Sequence, residues 1–187
     1  MACVEKAFVS SKLMILFHTL IGTSIKINKT ELDEPCEIMD LGCGPGYTTR
    51  LIANRFKESK VLGVDLDEEL INQAKSNVEF KNVSFIVGDG TNLKFKSSKF
   101  DCIFEILAFH HIPNHFNAIK EVYRVLKKGG KFVTFDIAVK SLNPFFKLIE
   151  TQPEEFTKKE FIDNLIKAGF KIRRHGGRFI FWVEAVK

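Results

Sequence analysis

A glycine-rich stretch, DLGCGPG at positions 40–46, constrains the fold of this chain more than any other feature. Glycines at alternate positions allow a tight backbone turn and let a ligand approach without interference from Cβ atoms. The stretch follows a short apolar strand pattern at 37–41 and precedes a helical pattern at 48–57. This order is typical of a ligand-binding unit in a parallel sheet, because the helix N-terminus offers unpaired N–H groups beside the turn.

The remainder of the chain continues the alternation of strand and helix patterns. We predict further strands at 60–65, 83–87, 100–107 and 131–137, and helices at 67–80, 114–126 and 157–168. Two more strand patterns, 170–173 and 178–186, flank His175-Gly176-Gly177 and predict a hairpin. The sequence therefore predicts an α/β fold. We expect a Rossmann-like, doubly wound sheet of seven strands, mostly parallel with an antiparallel C-terminal hairpin strand, and helices on both faces.

With 187 residues, the chain is long enough for a single domain with its own core. We divide this domain into an N-terminal helical cap, 1–34, and a Rossmann-like core, 35–187. The apolar run between Leu13 and Ile21 is interrupted by polar residues. It is too short to span a bilayer, which needs about 20 apolar residues, so we interpret it as an amphipathic helix on the core.

The composition disfavours several other classes of protein. An apolar fraction of 45% and a charged fraction of 27% are typical of a soluble globular protein. The net charge of +5 comes from scattered basic residues, whereas nucleic-acid-binding proteins concentrate their charge on one face. The four cysteines include no C-x-x-C pair, and we expect no secretory leader. We therefore expect reduced thiols in a cytoplasmic protein.

Two more acids follow the next two predicted strands. Asp65 ends the second strand, where a carboxylate can accept hydrogen bonds from both ribose hydroxyls of a nucleoside. Asp89 ends the third strand between two glycines and can accept from an exocyclic adenine amine. Taken alone, each acid is equally explained as a turn residue, although Asp67 better explains the cap of the following helix. Three acids, counting Asp40, at neighbouring strand ends predict a site for a nucleoside ligand.

The glycine spacing distinguishes between nucleoside ligands. Pyrophosphate-binding loops have glycine at the first, third and sixth positions, but the sixth position from Gly42 is Tyr47. Asp40 would also repel a pyrophosphate, and would attract an ammonium or sulfonium cation instead. These features disfavour a nicotinamide-dependent oxidoreductase.

Several stretches, taken together in their order and spacing, resemble the class I S-adenosylmethionine-dependent methyltransferases. They are IMDLGCGPGYTTRLIA, VLGVDLDEELINQA, VSFIVGDGTNLKF, FDCIFEILAFHHI and FNAIKEVYRVLKKGGKFVTFDI. The resemblance covers the chain from about Cys36 to Lys187. The late stretch FTKKEFIDNLIKAGFKI is similar to the small-molecule branch that includes the ubiquinone and menaquinone biosynthesis enzymes. The resemblance implies an enzyme with S-adenosylmethionine as its cofactor and a small-molecule acceptor.

The resemblance also implies roles for individual residues. The residues that match the loop around the methionine part of the cofactor are Asp40, Gly42, Cys43, Gly44 and Gly46. Asp65 matches the acid that holds the ribose, and Leu66 falls beside the adenine. Asp89 and Gly90 match the pair that reads the adenine edge. Glu105 falls near the methionine amino group, at a position where the family often has a small or polar residue.

The adjacent histidines His110 and His111 are the candidate catalytic residues. A histidine has an unperturbed pKa of about 6.5, which suits a general base near neutrality. We hypothesise that one of them lines the acceptor pocket. The alternative is that one histidine packs against the helix that begins at Asn114 and the other is exposed. No Cys, His or carboxylate partner lies at ligand spacing, so we predict no metal.

Apolar residues at two places in the chain are candidates for the acceptor pocket. They are Phe145, Phe146 and Leu148 in the segment 139–152, and Met14, Phe17 and Leu20 near the N-terminus. As an apolar lid they would suit a small hydrophobic or aromatic acceptor, whereas ordinary packing is the alternative. Two other functions stay open at this point. One is an RNA or protein methyltransferase, favoured by a basic hairpin near Arg173 and Arg178. The other is a non-catalytic module that binds S-adenosylmethionine.

Overall fold

The structure is a computed structural model, and it describes residues 27–76, 80–138 and 156–187. Its strands are β1 (Glu37–Leu41), β2 (Lys60–Asp65), β3 (Val83–Val87), β4 (Phe100–Ile106), β5 (Leu126–Ile137), β6 (Lys171–Gly177) and β7 (Ile180–Val186). Its helices are α1 (Tyr47–Arg55), α2 (Glu68–Ser76), α3 (His115–Val125) and α4 (Lys158–Ala168), with a short 3-10 turn at Phe109–His111. The predicted N-terminal run between Leu13 and Ile21 and all six predicted lid residues lie outside the described ranges.

All seven strands form one sheet in the order β3-β2-β1-β4-β5-β7-β6. The first five strands run parallel to one another, and β7 is antiparallel to both β5 and β6. This arrangement confirms the predicted fold class. The chain winds outward from β1 to β3 and then returns to place β4 on the other side of β1. A crevice therefore opens at the carboxyl ends of β1 and β4, which is where sheets of this kind bind ligands.

The two faces of the sheet bury different side chains because successive residues of a strand point in opposite directions. Met39 and Leu41 of β1 belong to the larger apolar cluster, which includes residues of α3 and α4. Ile38 lies on the other face, in a cluster with Ile52 of α1 and with Phe56, which directly follows α1. Helices therefore cover both faces, as the sequence predicts.

The boundary between α3 and β5 differs from the prediction. We expected a helix to position 126 and a strand from 131, whereas α3 ends at Val125 and β5 begins at Leu126. Leu126 pairs with Phe100, and a register shift follows along β4. The predicted helix breaker, Gly129, adopts a φ of 80° inside this irregular part of the strand. The difference arises because Leu126 pairs with β4, while Gly129 and Gly130 exchange backbone hydrogen bonds with Lys187.

The position of the C-terminal hairpin turn also differs from the prediction. We expected the turn at His175-Gly176-Gly177, but β6 extends to Gly177 and the two strands are joined by Arg178 and Phe179. A Cβ atom on Gly176 would lie 2.6 Å from the indole nitrogen of Trp182, its partner on β7. Glycine is therefore needed at position 176 to make room for an indole ring across the hairpin.

Side chains cap the starts of two helices, and one of these caps, Asp67, confirms the prediction. The Asp67 carboxylate accepts the backbone N–H groups of Glu69 and Leu70 at the start of α2. Thr157 and Glu160 form a reciprocal capping box at the start of α4. These bonds satisfy N–H groups that have no partner within a helix, and so fix where each helix begins.

Candidate active site

The loop at 42–46, between β1 and α1, lies at the crevice. Gly42, Gly44 and Gly46 have φ angles of 73°, 51° and 81°, a conformation that residues with a side chain rarely adopt. A Cβ atom on Gly42 would lie only 2.2 Å from the Cβ of Ala108. The backbone N–H of Gly42 donates to the Val64 carbonyl at 2.8 Å. The loop is thus held on β2 while its bare backbone presses against the segment that follows β4.

Asp40 is buried beneath this loop. Its Oδ2 accepts a hydrogen bond of 2.6 Å from the Thr49 hydroxyl of α1. Its Oδ1 has no hydrogen-bond partner among the described residues. Burial raises the pKa of this carboxyl to about 7; the Thr49 bond opposes the rise and the nearby Asp65 adds to it. A buried acceptor without a donor is costly, so this oxygen marks a place where a donor or a cation fits.

Asp65 connects the end of β2 to the glycine loop. Its Oδ2 accepts the backbone N–H of Gly44 at 2.7 Å, and its Oδ1 accepts that of Asp67 at 2.9 Å. Burial raises the pKa of the Asp65 carboxyl, and these two backbone bonds oppose that rise. Since Asp67 caps α2, the Asp65 carboxylate belongs to the loop and not to the helix.

Asp89, Gly90 and Leu66 complete the same edge of the sheet. The Asp89 Oδ1 accepts both the backbone N–H and the hydroxyl of Thr91, each at 2.7 Å, which orients the exposed carboxylate. Gly90 is buried, and a Cβ atom there would lie 3.3 Å from Leu41. Leu66 is 70% exposed and lies between Asp65 and Asp67 in the sequence. Its exposed surface suits a flat ring lying against it.

Glu105 has a different environment from these residues. It is completely buried, and its Oε1 accepts the backbone N–H groups of Ala108 at 2.6 Å and Phe109 at 3.1 Å. Its Oε2 accepts the Thr134 hydroxyl. Burial raises the pKa of Glu105 well above the ordinary range, and the nearby Asp136 raises it further. The Glu105 carboxyl therefore holds the backbone segment that touches Gly42.

His110 and His111 occupy the 3-10 turn after β4 and are placed differently from one another. His110 is buried, and its Nδ1 contacts the Oδ1 of Asp136, near the end of β5. Its backbone N–H donates to the Asp136 Oδ2 at 3.2 Å. The His111 ring is half-buried, and its centroid lies 3.9 Å from that of His110. The histidine pair thus joins the acidic group around Glu105.

Asp136 and Thr134 were not among the predicted site residues. Asp136 follows the rule that revealed Asp40 and Asp65, since it is an acid near the carboxyl end of a strand. It lies within the apolar pattern KFVTFDI, which reads as a continuous buried strand. The signal was therefore present in the sequence, although its partners could not be inferred from it.

Three cysteines in the described ranges, Cys36, Cys43 and Cys102, are buried free thiols. Burial raises the pKa of Cys43 well above the usual range, so this loop residue is a neutral thiol. In the same ranges, no helix has the length and apolarity needed to cross a membrane. The His, Cys, Asp and Glu side chains described there form no group of three suited to a metal ion.

Known proteins share this arrangement in both sequence and fold. Demethylmenaquinone methyltransferase of Lactococcus lactis is 27% identical over 173 residues, which cover 75% of this chain and 69% of that protein. Sterol 24-C-methyltransferase of Eremothecium gossypii is 31% identical over 150 residues, covering 72% and 40%. The chain thus spans well under half the length of the sterol enzyme. A SAM-dependent methyltransferase from Aquifex aeolicus has the same fold, with a TM-score of 0.77 over 99% of this chain and 98% of that one at 19% identity.

The family profile described as a methyltransferase domain matches residues 39–134. This range is slightly more than half of the 187 residues. It includes the glycine loop, the three acids at the ends of β1, β2 and β3, and the histidine pair. The chain therefore belongs to the methyltransferase domain family and is a class I S-adenosylmethionine-dependent methyltransferase.

Proposed function

We propose that this enzyme transfers the methyl group of S-adenosylmethionine to an O, N or C atom of a small apolar or aromatic acceptor. The observation that carries the proposal is the unpartnered Oδ1 of Asp40 beneath the glycine loop, beside Asp65. When bound, the cofactor supplies a methyl group already activated by its sulfonium centre. The protein then mainly has to orient the acceptor, an effect worth roughly 7–11 kcal/mol in well-aligned systems.

The residues around the loop fit this cofactor. The open oxygen of Asp40 suits the cationic methionine part, and Gly42 lets the loop lie directly against Ala108, where no side chain would fit. Cys43, Gly44 and Gly46 complete the proposed methionine loop. The Asp65 carboxylate has lone pairs beyond the two that accept backbone N–H groups, and these suit the ribose hydroxyls.

The adenine end of the proposed site is formed by Leu66, Asp89 and Gly90. The exposed Leu66 side chain offers an apolar surface to the ring. Both described bonds of the Asp89 carboxylate go to Oδ1. We therefore assign Oδ2 as the atom that accepts a hydrogen bond from the adenine amine. Glu105 stays our prediction for the methionine amino end. Because its oxygens already accept from Ala108, Phe109 and Thr134, we expect it to act through that backbone segment.

The acceptor class is supported by the relatives of this chain. Their names specify demethylmenaquinone and sterols, which are largely apolar molecules. We infer an acceptor of similar character, with His110 or His111 as the general base where the acceptor must lose a proton. His110→Ala and His111→Ala should each lower turnover and leave cofactor affinity nearly unchanged. An unchanged rate in both variants would reject the role of the histidines.

An acceptor panel with a labelled methyl donor tests the proposal. The panel contains a naphthoquinol, a sterol, a malonyl thioester, total RNA and a protein extract. We expect label in one of the small apolar acceptors. Label only in RNA or protein would reject our proposal in favour of a macromolecular substrate. Calorimetric binding of S-adenosylmethionine with no transfer to any acceptor would point to a non-catalytic module.

The RNA alternative rested on the basic hairpin. In the structure one of its cations, Arg174, pairs with Glu184 on the neighbouring strand. Part of the basic character is therefore used within the hairpin, which favours the small-molecule proposal. Steeply salt-dependent RNA binding would support the alternative instead. The division into a cap, 1–34, and a core, 35–187, and the cytoplasmic location stay predictions.

A further inference from the structure

We propose that Asp136 is a positioning residue for His110, and that it holds the imidazole in the tautomer with its proton on Nδ1. The proposal deepens the proposed function, because it selects one histidine of the pair as the base and names the residue that orients it. Only one part of it depends on the proposed function, namely that the His110 Nε2 removes a proton from the methyl acceptor. The orientation of the ring is a property of the protein alone.

A single carboxylate contacts both the backbone and the ring of His110. The Asp136 Oδ2 accepts the His110 backbone N–H at 3.2 Å, and its Oδ1 contacts the ring Nδ1. The Ile137 backbone N–H donates to the same Oδ1 at 2.6 Å, which fixes the carboxylate itself. Both partners are almost completely buried, His110 being 3% exposed and Asp136 fully enclosed.

The chemistry of this contact determines the tautomer. An ionised carboxylate only accepts hydrogen bonds, so the ring nitrogen that faces it must be the donor. In a neutral imidazole, a proton on Nδ1 leaves the lone pair on Nε2. A base whose second nitrogen is held by a third group is the arrangement that activates nucleophiles and acceptors in many enzymes.

The neighbouring Glu105 favours the charged form of Asp136. Two carboxyls buried together do not both ionise, because each charge disfavours the other. Burial raises the pKa of Asp136 to about 7, whereas it raises that of Glu105 well above the ordinary range. A hydrogen bond from Glu105 also lowers the pKa of Asp136. The single negative charge of the pair therefore resides on Asp136, next to the imidazole.

The same group connects the imidazole to the glycine loop. Glu105 holds the backbone N–H of Ala108, and the Cβ of Ala108 is the atom that a side chain on Gly42 would meet. His110 follows Ala108 by two residues within the same short segment. Among the groups that face His110 in the described part of the chain are Asp136 from β5, Glu105 from β4 beyond it, and His111 from its own turn. His110 is thus held at a fixed distance from the proposed cofactor loop.

Nitrogen NMR of the intact, isotope-labelled protein tests the proposal without any acceptor. The ring nitrogen shifts are recorded at a mildly alkaline pH, and the exposed His175 of β6 serves as the reference. The His110 signals are those lost in His110→Gln. We expect more than roughly nine-tenths of His110 in the Nδ1–H tautomer, since bonds to a charged acceptor are about twice as strong as neutral ones. A proton on Nε2 in the unaltered protein would overturn the proposal.

Asp136→Asn provides the second measurement, and Asp101→Asn is its matched control. Asp101 is another strand carboxylate, which pairs with Lys127 away from the histidines. We expect the Nδ1–H fraction of His110 to fall to about half or less in Asp136→Asn, because the charged acceptor is lost. It should be unchanged in Asp101→Asn. A lowered melting temperature with an unchanged tautomer would show a merely structural role for Asp136 and overturn the proposal.

A kinetic measurement separates this inference from the proposed function. With an acceptor from the panel, Asp136→Asn should lower kcat at least tenfold while KM and cofactor affinity change less than about twofold. A tenfold rise in KM with an unchanged kcat would contradict the positioning role. If no acceptor is methylated but the NMR result holds, the proposed function fails and the orientation of His110 by Asp136 stands.

Discussion

The two halves of the sheet place their acidic side chains in opposite situations. Beside β1 and β2, Asp40 has a buried oxygen without a described partner, and Asp65 is bonded only to backbone N–H groups of the loop and turn. Beside β4 and β5, every carboxyl oxygen of Glu105 and Asp136 accepts at least one hydrogen bond. The one unmet acceptor among these four acids, the Asp40 Oδ1, therefore lies in the half that carries the proposed cofactor site, whereas both acids of the other half are fully bonded.

The half of the sheet around β4 and β5 also has more extensive apolar packing than the half around β2 and β3. On the β4–β5 side, Phe161 lies within 5.5 Å, ring centre to ring centre, of Phe109, Phe156 and Phe181. On the β2–β3 side, a small cluster in the described part of the chain comprises Cys43, Ile71, Ala74 and Phe85. We expect substitutions in the first half to act mainly on stability, and substitutions in the second half to act mainly on cofactor binding.

The largest expected effect lies in the packed half. Phe161→Ala should lower the free energy of unfolding by about 3–5 kcal/mol, because it removes a fully buried ring and leaves a cavity. Urea denaturation measures this loss. Ile166→Ala on the same helix, where the side chain is 55% exposed, is the control and should change stability by less than about 0.5 kcal/mol. A loss below about 1 kcal/mol for Phe161→Ala would contradict the contrast.

The next effect lies in the ligand half. Asp65→Ala should weaken S-adenosylmethionine binding about 100-fold, or roughly 2.8 kcal/mol, since it removes the proposed ribose acceptor and the bond to Gly44. Isothermal calorimetry measures the affinity. Asp67→Ala is matched in charge and lies two residues away; it should cost about 1 kcal/mol of stability through the lost cap and leave affinity near normal. Equal affinities for the two variants would remove Asp65 from the site.

Two glycines with similar φ angles sharpen the comparison. Gly42→Ala should destabilise the protein by more than about 2 kcal/mol, because strain at a φ of 73° adds to a collision with Ala108. Gly129→Ala, at a φ of 80° with open space around it, should cost only the strain, about 1–2 kcal/mol. Thermal unfolding compares the two. Identical losses would mean that the loop does not press on the segment after β4.

The smallest effect is the pH dependence of cofactor affinity. The Asp40 carboxyl has a pKa of about 7 in the protein without ligand, so below that pH it is protonated. A cationic ligand favours the ionised form, and binding must then expel a proton. Affinity should fall about tenfold per pH unit below pH 7 and be constant above it. Calorimetry across this range should show the slope in the unaltered protein and a flat profile in Asp40→Asn.

The pH dependence that Asp40 gives to protein stability is opposite to the one that it gives to cofactor affinity. Its pKa is higher in the folded protein than the ordinary value of 3.8, so its stabilising contribution is complete at low pH and is lost as the pH rises through about 7. Asp40→Asn should therefore raise the stability of the protein without ligand at pH 8, by about 1–3 kcal/mol. A less stable Asn variant at pH 8 would contradict the assigned burial cost.

The sequence alone determined the order of elements and the residues at the ends of β1, β2 and β3. This was possible because Asp40, Asp65 and Asp89 follow strand patterns directly, and parallel strands bring their carboxyl ends to one edge. The glycine loop was equally local, since its positive φ angles are encoded by glycine itself.

Only the tertiary structure decided which partners the second group of residues has. Glu105 and Thr134 are neighbours because β4 and β5 pair in that register, and a shift of one residue would place them on opposite faces. The contact between His110 and Asp136 joins residues 26 positions apart, and Gly176 faces the indole ring of Trp182, which lies across the hairpin. Such contacts depend on strand register and on space between distant side chains, and neither is encoded in a local pattern.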